Sequence, residues 1–316
     1  MAAEASLEGQ DKGRSVKGFL VLSRIPFLSP GLAALTTGIL IALIEGNRPP
    51  LGLIAMALIG IALIMLVTYY FNEYFDYEGD LINKMFTKFS GGSRALPDNL
   101  VPRKTARVAG YGSIVLLAVI AILYLLLYFK DYPLLLPLGL FGAFCGIFYS
   151  TPPFRWAYQG IGEIMIGGCY GILAMLSGYY LASAVLDLKM VLIGLPAALT
   201  IFGVIVANEF PDYDADKAVN KRNLIVRFGM KRGSVIYLAA MLLTYPVMLA
   251  TMLVGVSWWI AITGLPVLIL CLAAGAITVK GGYAVYESQL KLSGITLLAN
   301  LTSALMFALA FYLQGL

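Results

Sequence analysis

The chain is a succession of long apolar runs broken by short polar stretches. Nine runs approach the roughly 20 residues that an α-helix needs to cross hydrocarbon: about 19–44, 51–75, 108–129, 132–149, 161–184, 190–210, 234–254, 256–279 and 291–313. Lipid offers no partner to backbone N–H and C=O groups, so spans of this length are satisfied internally only as helices. The pattern predicts an all-α integral membrane protein with nine transmembrane helices. Residues 1–18 are read as a short polar arm, and 19–316 as one polytopic domain with long polar loops at 81–107 and 217–233.

Composition agrees. Of 316 residues, 60% are hydrophobic and 12% charged, with mean hydropathy +0.86, whereas soluble domains carry about 25% charged residues. A soluble globule is excluded. Charge then sets the orientation. With nine spans, the N-terminus and the loops after even-numbered spans share a side holding 19 of the 22 Lys and Arg; only Arg48, Lys130 and Lys189 fall on the other. The positive-inside rule makes the rich side cytoplasmic, in a cell membrane. The arm, MAAEASLEGQDKGRSVKG, precedes a first span without a small-residue cleavage site, so it reads as a cytoplasmic segment and not a removed leader. Cys145, Cys169 and Cys271 all fall in apolar runs without ligand spacing and read as small buried hydrophobes. The chain has no histidine, which argues against a zinc site and against His-based catalysis.

The acids are distributed very unevenly. Eight of the 17 Asp and Glu lie in two nonapeptides, NEYFDYEGD from position 72 and NEFPDYDAD from position 208. Four expected crossings separate the copies, so both emerge on the same face. On a helix, residues four apart fall within a sector of about 80°, each about 6 Å above the last. Asn72, Asp76 and Asp80 thus form a column of oxygen ligands, and Asn208, Asp212 and Asp216 form a second. Gly79 and Pro211 weaken helix locally, placing both columns where helix gives way to loop.

Carboxylates this close repel unless a cation intervenes, and hard oxygen donors select magnesium over zinc or copper. Magnesium commonly bridges a few carboxylates to phosphate oxygens, which makes a diphosphate the natural partner. Lys84, Lys88 and Arg94 follow the first column, and Lys217, Lys221 and Arg222 the second, positioned to hold phosphate oxygens. Acids at helix ends are often no more than solvated ends. Two copies with matching spacing on one face weigh against that, because ionisable groups near a membrane interior are costly and usually functional.

These residues resemble the UbiA superfamily of intramembrane prenyltransferases. Asn72, Asp76 and Asp80 match its NxxxDxxxD motif, and Asp212 and Asp216 its DxxxD motif, with Asn208 extending the second. The stretches SGGSRALPDNLVP, YSTPPFRWAYQGIGE and DYDADKAVNKRNLIVRFG resemble the branch that prenylates dihydroxynaphthoate in menaquinone synthesis. The resemblance implies helices around a central cavity capped by cytoplasmic loops, and two magnesium ions holding the diphosphate of a polyprenyl donor between the columns. It implies metal and diphosphate roles for the five motif residues, diphosphate contacts for Arg24, Arg94, Arg155 and Lys221, and an active-site position for Tyr149.

The expected reaction is magnesium-dependent transfer of a polyprenyl group to a lipophilic or aromatic acceptor in the bilayer, with no nucleic acid among the partners. An allylic cation left by the departing diphosphate needs an apolar, aromatic wall. Tyr69, Tyr70, Phe71, Tyr74 and Phe148 are the candidates, against ordinary packing or an interfacial belt. Glu73 and Glu209 could assist the metals or take the acceptor's proton, and Arg155, Tyr158 and Glu163 are polar candidates near YSTPP. Three alternatives stay open: transfer to a glycerol ether lipid, a cation-coupled transporter, and a scaffold whose basic loops bind anionic lipid.

Overall fold

The computed structural model describes residues 16–315. Residues 1–15 of the expected arm lie outside the described residues, and helix has already begun at Val16. Seven helices are long and apolar enough to cross a membrane: α1 (Val16–Ile44), α2 (Leu51–Ile82), α3 (Arg103–Leu127), α5 (Gly162–Ser183), α6 (Lys189–Ala218), α7 (Met230–Val254) and α9 (Tyr286–Gln314). Two shorter apolar helices, α4 (Leu135–Phe148) and α8 (Leu265–Val279), complete the set. No strand occurs among the described residues.

The expectation of nine full spans therefore becomes seven long helices and two short ones. At 14 residues, α4 rises about 21 Å, less than the ~30 Å hydrocarbon thickness. The eighth expected span is divided: Trp259–Thr263 is a helix of its own, joined to α8 through Gly264. Pro266, at the start of α8, has no N–H to continue the ladder, and the break falls just before it.

A larger difference concerns α2 and α6, which run on past the expected ends and carry both nonapeptides as helix. Pro211 lies inside α6 without ending it. The acids tolerate this depth because they face a protein-lined cavity instead of lipid. The second expected loop also shortens, since Leu224–Phe228 forms a turn of helix capped by Asn223, whose side chain accepts from the Val226 N–H at 2.9 Å.

Contacts define two ends of the bundle. At one, Arg24 meets Glu73, Arg103 meets Glu78 at 3.0 Å, and the Tyr286 hydroxyl donates to the Phe86 carbonyl at 3.0 Å. At the other, Glu45 meets Lys189 at 3.0 Å and accepts from the Tyr179 hydroxyl at 2.5 Å, while the Leu134 N–H donates to Tyr180 at 3.2 Å. Both nonapeptides belong to the first end. Between the ends, α1 and α5 cross almost backbone to backbone: a Cβ on Gly38 would collide with the Met175 carbonyl, and one on Gly178 with the Leu35 carbonyl. Small residues permit such an approach where dispersion and not hydrophobic burial drives helix association. Asn300 on α9 donates to the Ala197 carbonyl and the Thr200 hydroxyl of α6, at 3.0 and 3.1 Å, a polar tie in the apolar interior.

Candidate active site

The columns on α2 and α6 face one cavity of about 150 Å³, whose wall includes Asn72, Asp76, Asp80, Asn208, Asp212 and Asp216. The i, i+4 spacing brings each column to one side of its helix, and the two helices bring the columns together. Lys221, just beyond α6, joins them: its ammonium lies 2.8 Å from Asp76 and 3.4 Å from Asp216. Burial opposes this charge, but Asp216 and Asp76 outweigh it and hold the Lys221 pKa well above the ordinary lysine range.

Three of the four motif aspartates, and Glu73, have specific side-chain partners. Asp76 accepts from the Asn72 amide at 2.9 Å and from the Tyr158 hydroxyl at 2.7 Å. Burial, then the Asp76 charge, raise the Tyr158 pKa, so the phenol keeps the proton it donates. Asp216 accepts from Asn223 at 2.7 Å. Asp212 is held by the loop that follows α2, accepting from the Asn83 amide at 2.7 Å and the Gly91 N–H at 3.1 Å. That loop lies over the cavity in a conformation that needs its paired glycines: Gly91 and Gly92 have φ of +72° and +73°, and a Cβ on Gly92 would strike the Asp80 carboxylate. Glu73 is buried, paired with Arg24, and accepts from the Ser93 N–H at 2.6 Å. Arg24 reaches it from a left-handed break in α1, at φ 44°, just before Pro26.

The basic candidates separate into two groups. Arg24 and Lys221 line the cavity. Lys84, Lys217 and Arg222 are exposed. Arg94 donates to the Asp80 carbonyl and pairs with Asp98 at 3.1 Å, and Arg155 stacks 3.7 Å over the Tyr158 ring; neither is in the cavity wall. The aromatic candidates separate in the same way. Tyr69 and Tyr149 line the cavity. Tyr70 bonds the Ser23 hydroxyl at 2.8 Å, Phe71 packs edge-on against Tyr111, Tyr74 lies under Arg103, and Phe148 joins Phe144 and Phe154. Consecutive residues on a helix turn by about 100°, so 69, 70 and 71 cannot share a wall. The wall is completed instead by Phe27, Phe89 and Tyr170, with Ile166, Ile201, Val204, Ile205 and Leu297.

A second cavity of about 210 Å³ continues from the first. Thr68, Tyr149, Ile166 and Tyr170 belong to both walls. Beyond them the lining is almost wholly apolar, from α1 to α5, as far as Leu53, Tyr124 and Leu181 near the opposite end. A polar chamber thus opens into an apolar tunnel.

The polar chamber suits a hard divalent cation. Its donors are oxygens, the chain has no histidine, the Asn208 carbonyl oxygen is buried without a partner, and the Lys221 ammonium already reaches both columns. Among the described residues no three acidic, Cys or His side chains are drawn around one point. Water and substrate oxygens would have to complete the shell, which is how magnesium is usually held. Asn83, Gly91, Ser93 and Asn223 donate to the acids directly, and Ser150 accepts from the Asn72 amide at 3.0 Å; none was legible as a site residue from its sequence position, and the signal that could have found the loop residues is the glycine pair in SGGSR.

Fold and site together define an intramembrane protein whose paired acidic columns sit at the mouth of an apolar tunnel. A profile of the UbiA prenyltransferase family matches residues 32–282, and the chain belongs to that family. It is 27% identical over 179 residues to a 1,4-dihydroxy-2-naphthoate octaprenyltransferase of Bacillus subtilis (strain 168), covering 56% of this chain and 55% of that one. It is 34% identical over 95 residues to a 2-carboxy-1,4-naphthoquinone phytyltransferase of Synechocystis, covering 29% and 30%. The chain thus spans about half the length, or less, of these curated relatives. Among solved structures, a UbiA homolog from Archaeoglobus fulgidus bound to GPP and Mg2+ matches with a TM-score of 0.67 at 16% identity, covering 93% of this chain and 99% of that one. A digeranylgeranylglyceryl phosphate synthase matches with 0.64 at 22%, covering 94% and 99%. These two likenesses establish the fold.

Proposed function

We propose that this protein transfers a polyprenyl group from a polyprenyl diphosphate to an electron-rich aromatic acceptor of the dihydroxynaphthoate kind, within the membrane and with magnesium. The observation that carries the reading is Lys221, one positive charge touching both acidic columns where the polar chamber meets the apolar tunnel. The naphthoate-prenylating relatives support the acceptor class, and the neighbour bound to GPP and Mg2+ supports the donor and the metal.

Asn72, Asp76, Asp80, Asn208, Asp212 and Asp216 would hold the metal, which when bound supplies charge neutralisation on the diphosphate. Arg24 and Lys221 lie in the same wall, where negative charge grows as the bond between prenyl C1 and its ester oxygen breaks and the oxygen keeps the electron pair. The apolar tunnel takes the tail. C1 is left as an allylic cation among Thr68, Tyr149, Ile166 and Tyr170, shielded from bulk water and faced by aromatic rings. A ring carbon of the acceptor attacks C1, a carbon–carbon bond forms, and the ring carbon releases its proton, for which Glu209 in the cavity wall is a candidate base. The basic residues at this end support placing it on the cytoplasmic side.

The test is transfer from radiolabelled geranylgeranyl diphosphate to 1,4-dihydroxy-2-naphthoate by purified protein in detergent. Product should require magnesium and fall at least about 100-fold in Asp76→Ala, in line with losing a group that stabilises developing charge. Product formed equally well without magnesium, or by Asp76→Ala, would defeat the reading.

A further inference from the structure

Within α5, residues Gly168–Leu173 depart from α-helical geometry and form a π-helix. Such segments arise mostly as single-turn bulges and are frequent at functional sites. Gly167 and Gly171 let this stretch pack flush on α6, where a Cβ on Gly171 would collide with Ala198. Tyr170 lies at the centre of the bulge, in the ring of residues common to both cavities. Its hydroxyl is buried and has no hydrogen-bond partner. Tyr69 stands beside it with its proton committed to the Phe27 carbonyl at 2.6 Å, and the contact between the two phenols falls outside hydrogen-bond geometry, so the Tyr69 oxygen does not accept from Tyr170 either. A buried hydroxyl left unpaired costs free energy that a ligand can recover.

Its position says which ligand. Thr68, in the same ring, is one helical turn, about 6 Å, from Asn72 on the tunnel side. A donor with its diphosphate between the columns and its tail in the tunnel places C1 at this level, and the attacking carbon of the acceptor must be there too. The diphosphate oxygens stay with the columns and the tail is hydrocarbon. A ring hydroxyl of the acceptor is the polar group that remains for Tyr170.

Resting on the aromatic-acceptor reading above, we infer that Tyr170 binds the acceptor through a hydrogen bond to its ring hydroxyl. The experiment compares wild type with Tyr170→Phe, which keeps the ring and removes only the oxygen. Probes are 1,4-dihydroxy-2-naphthoate, its hydroxyl-methylated analogue and geranylgeranyl diphosphate. The acceptor KM should rise roughly tenfold, about one hydrogen bond, with the donor KM and kcat at saturating acceptor within about twofold of wild type. Methylation removes the hydroxyl's proton and crowds the bond, so it should weaken the acceptor more for wild type than for the variant. An unchanged acceptor KM in an active variant, or equal rises in both KM values, would overturn this inference alone. A wild type that binds the donor yet transfers to neither naphthoate would overturn the aromatic-acceptor reading, and this inference with it.

Discussion

At the level of single residues, the site is a set of carboxylates that would be mutually repulsive without their named partners. Arg24 and Glu73 make the point most simply: the carboxylate is fully buried and the guanidinium nearly so. Arg24→Ala leaves a buried acid without its cation, and breaking a buried pair from one side typically costs about 3–5 kcal/mol. The thermal midpoint in detergent should fall clearly for Arg24→Ala, and the double variant Arg24→Met/Glu73→Gln should recover much of the loss. A double variant no more stable than the single one would mean that the pair is not what stabilises this corner. The acids were legible in the sequence because charge is so scarce elsewhere that two dense clusters stand out. The cations were less so: Lys217 and Arg222 share the sequence neighbourhood of Lys221, and Lys84 stands in the matching place after the first column, but all three are exposed, and only the three-dimensional course of the chain after α6 selects Lys221.

Among the elements, α2 and α6 set the geometry of the candidate site by staying helical through both motifs. The sequence placed the columns at a helix-to-loop boundary because Gly79 and Pro211 are poor helix residues and charged side chains are poor membrane residues. Tertiary context overrides both signals, since the acids face a shared cavity and Pro211 removes only one backbone bond. Hydropathy alone could not locate the tunnel, because lipid-facing and cavity-facing side chains are equally apolar. Two glycines mark it in the structure: Gly60 on α2 and Gly139 on α4 line the tunnel, and a Cβ at either would meet nothing. Gly60 lies about 18 Å along the helix from Asn72. Phe at either position should obstruct long tails and spare short ones, an overpacking cost of about 1–3 kcal/mol, or roughly five- to 150-fold in kcat/KM for a C20 donor. A C10 donor should be handled as by wild type. Equal losses for both donors would place the tail elsewhere.

Over the whole molecule, the proposed orientation has the basic end cytoplasmic and the tunnel directed toward the other face. Lys84→Cys and Arg48→Cys, both at exposed positions, should react with a membrane-impermeant maleimide from opposite sides, Lys84→Cys from the cytoplasmic one. Labelling of both from one side would contradict the topology. The most direct test of the central claim, that two columns from distant parts of the chain hold one ligand, is a double-mutant cycle on binding. Affinity for a non-hydrolysable geranylgeranyl thiodiphosphate would be measured with magnesium for wild type, Asp76→Ala, Asp216→Ala and the double variant. Residues that act on one ligand are coupled and those at separate sites are additive. Each single variant should lose most of the magnesium-dependent affinity, and the double should be little worse than either. Additive losses, or full affinity in the double variant, would contradict a shared site.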